Sequence, residues 1–233
     1  MYSEIADVYL EIFPLNHAFL VFITEYLGEP GTRVLDLGCG PGDYVDALAS
    51  RYEAVGIDNN PEMIKTAVQR NRGTFHQLSF TQIDRLNGGF SCAYCIGNSL
   101  SYLQPEMMTD FYRTLYRLLD TGAYFIVQVV NWDKYRLTEN VDFDVKHLSD
   151  GRTFHRAYEA AEDDAVVFKT CLKKGETVIG EWSDMLHPKY MADMVSGLTA
   201  SGMAVVDRFG DFKKNPFDPA SSPAAVLTAR KPV

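Results

Sequence analysis

The residues best placed to do chemistry in this sequence stand in a glycine-rich segment, Val34-Leu-Asp-Leu-Gly-Cys-Gly-Pro-Gly-Asp43. Its glycines allow a tight turn and let the backbone approach a ligand where any Cβ would collide. Asp36 stands just before the first glycine, and Asp58 ends a second apolar run, Ala54-Val-Gly-Ile57. A carboxylate in the position of Asp58 can accept hydrogen bonds from both hydroxyls of a ribose. The segment therefore predicts a binding site for a nucleotide-like cofactor.

The elements that position these residues follow an alternating pattern up to about residue 134. Short β-branched runs alternate with helical periodicity, which is typical of a parallel sheet covered by helices on both faces. This pattern predicts a doubly wound α/β domain. We expect strands at 33–37, 54–57, 74–77, 92–96 and 123–130, and helices at 17–27, 43–51, 61–70 and 105–119.

The pattern changes between residues 135 and 187. Alternation at 153–158 and 166–172, separated by turn-like clusters, predicts antiparallel strands. We interpret 135–187 as an inserted β lid or substrate subdomain between strand 5 and the last helix. Residues 1–134 and 188–233 would form the cofactor-binding domain, with a helix at 188–201 and strands at 204–209 and 224–229.

Composition limits the class of protein. The 233 residues are 46% hydrophobic, enough for one full core, and 31 acidic against 22 basic side chains give a net charge of −9. That charge repels a phosphate backbone, so nucleic acid is excluded as the expected partner. The sequence shows no leader pattern and no membrane-spanning run, so we expect a cytoplasmic protein with no membrane partner.

The four cysteines do not predict a metal site or a disulfide scaffold. Cys92 and Cys95 have the spacing of a metal-binding pair, but they fall in a predicted strand, where residues three apart point to opposite faces. No second pair completes a tetrahedral site. We therefore expect free thiols and no metal.

The glycine segment, followed by Gly56-Ile-Asp58, resembles the first two motifs of class I S-adenosylmethionine-dependent methyltransferases. The resemblance implies a seven-stranded sheet whose last strand is antiparallel, with S-adenosyl-L-methionine as cofactor. In that family the acid at the position of Asp36 organises the amino group of the cofactor, the acid at Asp58 binds ribose, and the residue at Met63 packs on adenine. The cofactor-binding residues that the resemblance implies are Tyr9, Asp36, Gly38, Cys39, Gly40, Asp58, Asn59, Met63, Ser79, Phe80, Ile96 and Gly97.

Three further segments extend the resemblance. Ser79-Phe80 matches the place where the family usually has an acid and an apolar residue beside adenine; serine can bond the adenine amino group but carries no charge. The segment Cys95-Ile-Gly-Asn-Ser-Leu-Ser-Tyr-Leu103 is similar to the Gly-Asn-Ser segment of small-molecule N-methyltransferases such as the glycine N-methyltransferase group. It implies Asn98 and Tyr102 as catalytic residues facing the methyl group, although many relatives carry histidine at the position of Tyr102. Glu4-Ile-Ala-Asp-Val-Tyr9 resembles a leading segment whose tyrosine closes over the cofactor.

The expected substrate contacts are Tyr102, Arg156 and Tyr158. Alternation places Phe154, Arg156 and Tyr158 on one face of a strand, and an arginine between two aromatic rings is costly on an ordinary core face. This favours a pocket in which Arg156 pairs with a carboxylate of the acceptor. The alternative is an arginine whose stem covers the rings while its head stays in water.

These observations predict methyl transfer to the N or O of a small-molecule acceptor. S-adenosylmethionine is already a strong methyl donor, so the protein must mainly align the acceptor and exclude water. Two alternatives stay open: a nicotinamide-dependent oxidoreductase, because Asp58 also suits NAD, and a non-catalytic S-adenosylmethionine-binding protein. The oligomeric state is open as well, a homodimer included.

Overall fold

The computed structural model describes residue 5 and residues 8–135, 140–162 and 164–233 of the chain. Glu4, Ala6 and Asp7 of the leading segment lie outside the described residues. In the part that is described, no helix is long and apolar enough to cross a membrane. The helices are α1 (Tyr9–Ile12), α2 (His17–Ile23), α3 (Asp43–Leu48), α4 (Pro61–Arg70), α5 (Met108–Leu118) and α6 (Met191–Ala200). The strands are β1 (Arg33–Leu37), β2 (Glu53–Asp58), β3 (Thr74–Gln77), β4 (Phe90–Cys95), β5 (Leu119–Val130), β6 (Val141–Asp142), β7 (Lys146–His147), β8 (Arg152–Ala160), β9 (Val166–Lys174), β10 (Thr177–Leu186), β11 (Ala204–Phe209) and β12 (Ala224–Arg230).

The main sheet has seven strands in the order β11-β12-β5-β4-β1-β2-β3. Strands β1 to β5 are parallel, and β12 runs antiparallel between β5 and β11. Strands β2 and β3 extend the sheet on one side of β1, and β4 and β5 then extend it on the other side. Such a reversal leaves a crevice at the carboxyl ends of β1 and β4, where open α/β sheets bind ligands. The predicted doubly wound α/β fold with an antiparallel last strand is confirmed.

A side-chain cap explains where helix α4, beside this crevice, begins. Oδ1 of Asn60 accepts hydrogen bonds from the backbone N–H of Glu62 and Met63, at 2.9 and 3.2 Å, and Pro61 takes the first helical position of α4. The prediction for 61–70 is therefore confirmed.

Several predicted helices are shorter in the structure. Helix α2 ends at Ile23 and α3 ends at Leu48, because after each helix the chain forms a turn that precedes the next strand. The predicted helix at 105–119 begins as a 3-10 turn at Pro105–Met107, and Leu119 already belongs to β5. The last helix begins at Met191, three residues after Pro188.

A second sheet follows β5, in the order β10-β9-β8-β6, with β7 also paired to β8. The pairing of β8 with β9 and of β9 with β10 is antiparallel, as expected for this segment. Strand β10 was not predicted from the sequence. It is an edge strand whose residues are mostly exposed or half-buried, and Gly180 interrupts its pattern at a bulge.

One face of the second sheet covers the crevice of the main sheet. Alternate residues of β8, β9 and β10 point to this side, which we call the lid face. Tyr158 and Leu186 join the core of the main sheet, whereas Phe154 contacts the cluster formed by α1. The lid face consists of Phe154, Arg156, Tyr158, Phe168, Thr170, Leu172, Trp182, Asp184 and Leu186.

Candidate active site

The glycine loop is held at the carboxyl end of β1 by its own backbone and by Asp58. The N–H groups of Gly38 and Cys39 both donate to the carbonyl of Ile57, at 2.9 and 2.8 Å. Oδ2 of Asp58 accepts a bond from the N–H of Gly40 at 3.0 Å, and its Oδ1 accepts one from the N–H of Asn60 at 2.9 Å. Asp58 therefore positions the loop, a role that was not predicted from the sequence.

Asp36 is buried beneath this loop with one oxygen unsatisfied. Its side chain is 2% exposed, and Oδ2 has no hydrogen-bond partner among the described residues. Burial raises the pKa of Asp36 to about 8; a hydrogen bond with Tyr94 opposes the rise, and the negative charge of Asp58 adds to it. A buried acceptor of this kind requires a donor from a ligand.

Burial likewise raises the pKa of Asp58, although hydrogen bonds from the backbone of Asn60 and Gly40 act in the opposite direction. Two carboxyl groups thus meet at one end of β1 and β2. A cation bound at the loop would favour their ionised forms and lower both pKa values.

Three aromatic and polar side chains border the glycine loop. A Cβ added at Gly40 would lie 3.4 Å from the hydroxyl oxygen of Tyr9, and one at Gly38 would lie 2.8 Å from Cβ of Ser99 and 3.5 Å from the Phe80 ring. The structure thus brings the predicted residues Tyr9 and Phe80 to the loop. Ser99 was not predicted, although it stands in the segment that was singled out.

The other predicted cofactor residues lie around the same crevice in different environments. Met63 is 1% exposed on the buried side of α4, whereas Asn59 is exposed and Ile96 is half-buried. Ser79 precedes the 3-10 helix Phe80–Arg85, and its hydroxyl is 2.9 Å from that of Thr81. The N–H of Gly97 donates to Oε1 of Gln128 at 2.8 Å. Cys39 is buried next to Gly56.

Asn98 fixes the turn that follows β4. It adopts a left-handed conformation with φ 66°, and its Oδ1 accepts bonds from the Ser101 hydroxyl at 2.8 Å and the Val130 N–H at 3.1 Å. The side-chain carbonyl oxygen of Asn98 therefore already accepts two hydrogen bonds within the protein. Tyr102, at the end of the same turn, is 36% exposed.

Arg156 and Tyr158 both lie on the lid face but differ in surroundings. Nε of Arg156 is buried without a hydrogen-bond partner among the described residues, and its guanidinium carbon lies 5.3 Å from the centre of the Phe143 ring. Burial lowers the pKa of Arg156. Tyr158 is 8% exposed and packs against Trp132, with ring centres 5.0 Å apart. Its surroundings are those of a packing residue.

Lys189 connects the second sheet to the turn after β4, and sequence reasoning missed it. The side chain is 5% exposed, and Nζ donates to the carbonyls of Leu103 and His187 at 2.7 and 2.9 Å. The N–H of His187 in turn donates to the carbonyl of Ser101 at 2.7 Å. Burial lowers the pKa of Lys189 to about 8. Nothing in its sequence neighbourhood distinguishes Lys189 from a surface lysine.

A cavity of about 610 Å³ lies on the second sheet, away from the glycine loop. It is lined mostly by alternate residues of the face opposite the lid face, such as His155, Cys171 and Glu181. Within the described ranges, no three His, Cys, Asp or Glu side chains are grouped so that they could hold a metal ion. Its lining also includes Arg156, Thr170 and Trp182 of the lid face.

Comparison with known proteins agrees with the motifs and the fold. Residues 34–122 match the family model described as methyltransferase domain. The carboxy-S-adenosyl-L-methionine synthase of Campylobacter hominis is 27% identical over 108 residues, which cover 43% of this chain and 46% of the relative. In the first curated relatives, the matched segment spans less than half of the relative's own length.

Two solved structures share the whole fold. The CcbJ methyltransferase of Streptomyces caelestis superposes with a TM-score of 0.83 at 21% identity, covering 100% of this chain and 98% of the other. The amino pentose methyltransferase CalS10 of Micromonospora echinaspora gives a TM-score of 0.70 at 17% identity, with 92% and 90% covered. Residues 34–122 therefore match a methyltransferase domain, and the whole chain has the fold of solved methyltransferases.

Proposed function

We propose that this chain transfers a methyl group from S-adenosylmethionine to a nitrogen or oxygen atom of a small molecule. The observation that carries the proposal is the unsatisfied carboxylate oxygen of Asp36 beneath the glycine loop. When bound, S-adenosylmethionine supplies a methyl group on a positively charged sulfur and an amino group that can donate hydrogen bonds. Both features match an environment formed by Asp36 and Asp58.

The residues around the loop fit such a cofactor. Tyr9 lies over Gly40 and Phe80 lies beside Gly38, so a ligand on the loop would be enclosed by aromatic side chains. Asp58 would share its carboxylate between the backbone of the loop and the ribose hydroxyls, because each carboxylate oxygen accepts more than one bond. In this proposal Asp36 binds the amino group, and Met63 supports the adenine side from α4.

The acceptor would bind between the turn after β4 and the lid face. Asn98 and Tyr102 lie on the first of these, and Arg156 lies on the second. Asn98 acts by positioning this turn, since its carbonyl oxygen is already bonded. The amino pentose methyltransferase among the structural neighbours supports a small-molecule acceptor.

The charges around the loop disfavour a nicotinamide dinucleotide. A pyrophosphate group would meet the carboxylates of Asp36 and Asp58 at the strand ends. Helix α3, which begins directly after the loop, has Asp43 and Asp46 in its first turn, and these acids weaken its affinity for phosphate.

Formation of S-adenosylhomocysteine tests the proposal. We expect the wild-type chain to form it from S-adenosylmethionine with at least one acceptor in a panel of amines, amino acids, phenols and carboxylic acids, as measured by mass spectrometry. A chain that binds the cofactor but forms no product with any acceptor would favour the non-catalytic binding protein.

Substitution of Arg156 tests the acceptor side of the site. If Arg156 pairs with an anionic group of the acceptor, Arg156→Ala should raise the acceptor KM about tenfold to a hundredfold, the equivalent of one charge-assisted bond. The KM for S-adenosylmethionine should stay unchanged. Steady-state rates, measured while the concentrations of both substrates are varied, give the two KM values separately. A small stability loss with unchanged kinetics would instead assign Arg156 to packing over Phe143.

A further inference from the structure

Among the lid-face residues named above, two carry charged side chains. Arg156 lies on β8, and Asp184 lies on β10. The intervening strand separates them by about two strand spacings, roughly 10 Å between backbones. Arg156 is also directed toward Phe143, near the opposite edge of the sheet. Asp184 is therefore not the partner of Arg156.

Asp184 has an unsatisfied oxygen on this face. Its side chain is half-buried, and Oδ2 is inaccessible to solvent with no hydrogen-bond partner among the described residues. Burial raises the pKa of Asp184, and the positive charge of the chain's amino terminus acts in the opposite direction. A carboxylate oxygen in this state is stabilised by a ligand that brings a donor, most strongly by a charged one.

Two aromatic residues share a row of the lid face with Asp184. Across the three strands, Tyr158 pairs with Phe168 and Phe168 pairs with Asp184, so the three residues form one row on the lid face. The rings of Tyr158 and Phe168 are 5.4 Å apart. A carboxylate next to aromatic rings suits a cation with apolar substituents, because ring faces attract positive charge.

The row lies close to the turn that borders the crevice. Leu186, the next lid-face residue along β10, is buried in the core of the main sheet. His187 follows it and donates its N–H to the carbonyl of Ser101, within the turn that begins at Asn98. Asp184 thus lies on the lid face, three residues before the contact of His187 with the turn that carries Tyr102.

We propose that Asp184 binds an ammonium group of the methyl acceptor and takes up one of its protons, so that the acceptor is an amine. The neutral amine then uses its lone pair to form the new N–C bond as the S–CH3 bond of S-adenosylmethionine breaks and S-adenosylhomocysteine leaves. This inference rests on the proposed function, because it assigns a substrate class to the same crevice. An alcohol, phenol or carboxylic acid brings no positive charge to Asp184 and leaves its oxygen without a charged donor. The row formed by Tyr158, Phe168 and Asp184 would then select the acceptor by charge.

The test uses pairs of compounds that differ only in the charged group. Binding of 2-phenylethylamine and 2-phenylethanol, and of cyclohexylamine and cyclohexanol, is measured by NMR titration with and without S-adenosylhomocysteine. The variants are Asp184→Asn and, as a matched control, Glu181→Gln, which lies on the same strand but on the opposite face. The same pairs are offered as acceptors with S-adenosylmethionine.

We expect the wild-type chain and Glu181→Gln to bind the amines about tenfold or more tightly than the alcohols, as a charge-assisted bond implies. Asp184→Asn should remove this difference while its affinity for S-adenosylhomocysteine stays unchanged. Turnover, where it occurs, should be confined to the amines.

Equal binding of amine and alcohol by the wild-type chain would overturn the inference, and so would an amine preference that persists in Asp184→Asn. Absence of binding of all four compounds, in a chain that binds S-adenosylhomocysteine, would also overturn it. Failure of the proposed function has a different signature, since the chain would then bind no S-adenosylhomocysteine, or would bind it and form no product with any acceptor of the wider panel. The wild-type comparison decides the matter even if Asp184→Asn does not fold.

Discussion

Gly40 and Gly42 both have left-handed backbone conformations, with φ 52° and 91°, but their surroundings differ. A Cβ at Gly42 would lie 2.7 Å from the ring of Phe75 and 2.9 Å from Cβ of Ala67, inside the fold. At Gly40 the nearest atom is the hydroxyl oxygen of Tyr9, at 3.4 Å. Gly42 therefore serves the packing of the loop, whereas Gly40 leaves space on the side where the cofactor is proposed.

This difference predicts that two alanine substitutions differ in their effects on stability and on cofactor binding. Gly40→Ala should cost about 1 to 2 kcal/mol of stability, the penalty of a left-handed conformation, and should weaken S-adenosylmethionine binding strongly. Gly42→Ala should cost more stability, because it adds steric overlap with Phe75. Urea unfolding and calorimetric titration measure the two quantities. Equal loss of stability in both variants would contradict the distinction.

Asp36 should give the cofactor-free chain a specific pH dependence. Its pKa is raised to about 8 in the folded state, compared with about 3.9 for an unfolded aspartate. Folding therefore takes up a proton in this range, so the contribution of Asp36 to stability is most favourable below about pH 4 and is lost as the pH rises toward about 8.

The variant Asp36→Asn remains neutral and lacks this loss. Relative to the wild type, its free energy of unfolding should increase between about pH 4 and pH 8, by an amount on the order of a few kcal/mol. Urea unfolding at a series of pH values, without cofactor, measures the difference. A difference that does not change with pH would show that Asp36 is ionised throughout.

The sequence predicted where Asp36, Asp58 and Gly40 lie in the fold better than it predicted their bonds. Asp36, Asp58 and Gly40 could be identified because a glycine loop between a strand and a helix has few alternatives. The bond from Gly40 to Asp58 depends on the exact course of the loop, and the burial of Lys189 depends on two distant segments. Neither property is encoded in local spacing.

At the scale of elements, the turn after β4 is held from two directions. Asn98 and Ser101 bond within the turn and to β5, whereas Lys189 and His187 bond to it from the end of β10. Trp132 adds a further bond, from Nε1 to the Ser101 hydroxyl at 3.3 Å. The second sheet and the main sheet are thus connected at the turn where the acceptor is proposed to bind.

Lys189→Met tests this connection. Methionine retains the apolar stem but leaves the carbonyl oxygens of Leu103 and His187 without their donor, which should cost about 1 to 3 kcal/mol of stability. In a Trp182→Phe background, the emission of Trp132 should shift to longer wavelength. Lys134→Met, at an exposed position near Trp132, is the control and should change neither quantity. Unchanged emission in Lys189→Met would show that Lys189 does not position the turn.

Burial and capping determine which strands and helices could be predicted from the sequence. The buried strands β1 and β4 were predictable because both faces are apolar. Strand β10 could not be predicted, because an edge strand needs apolar residues on only one face and tolerates Gly180 at a bulge. Helix α4 was predicted correctly because Asn60 and Pro61 mark its start in the sequence.

At the scale of the whole molecule, the segment around α1 joins the two sheets. Phe13 packs edge-on against Phe154 of the second sheet, with ring centres 6.0 Å apart, and Glu11 accepts hydrogen bonds from Ser149. Tyr9 of the same helix borders Gly40 in the glycine loop. The proposed division into 1–134 with 188–233 and an inserted 135–187 therefore describes chain order, while α1 packs with the insertion.

Cofactor binding to the whole chain is the most direct measure of the central claim. Calorimetric titration should show that S-adenosylmethionine binds the wild-type chain and that NAD does not. Asp58→Ala should bind S-adenosylmethionine more weakly by about 2 to 4 kcal/mol, because a charged acceptor of paired bonds is lost and the loop loses its bond to Gly40. Preferential binding of NAD, or undiminished affinity for S-adenosylmethionine in a folded Asp58→Ala variant, would contradict the account.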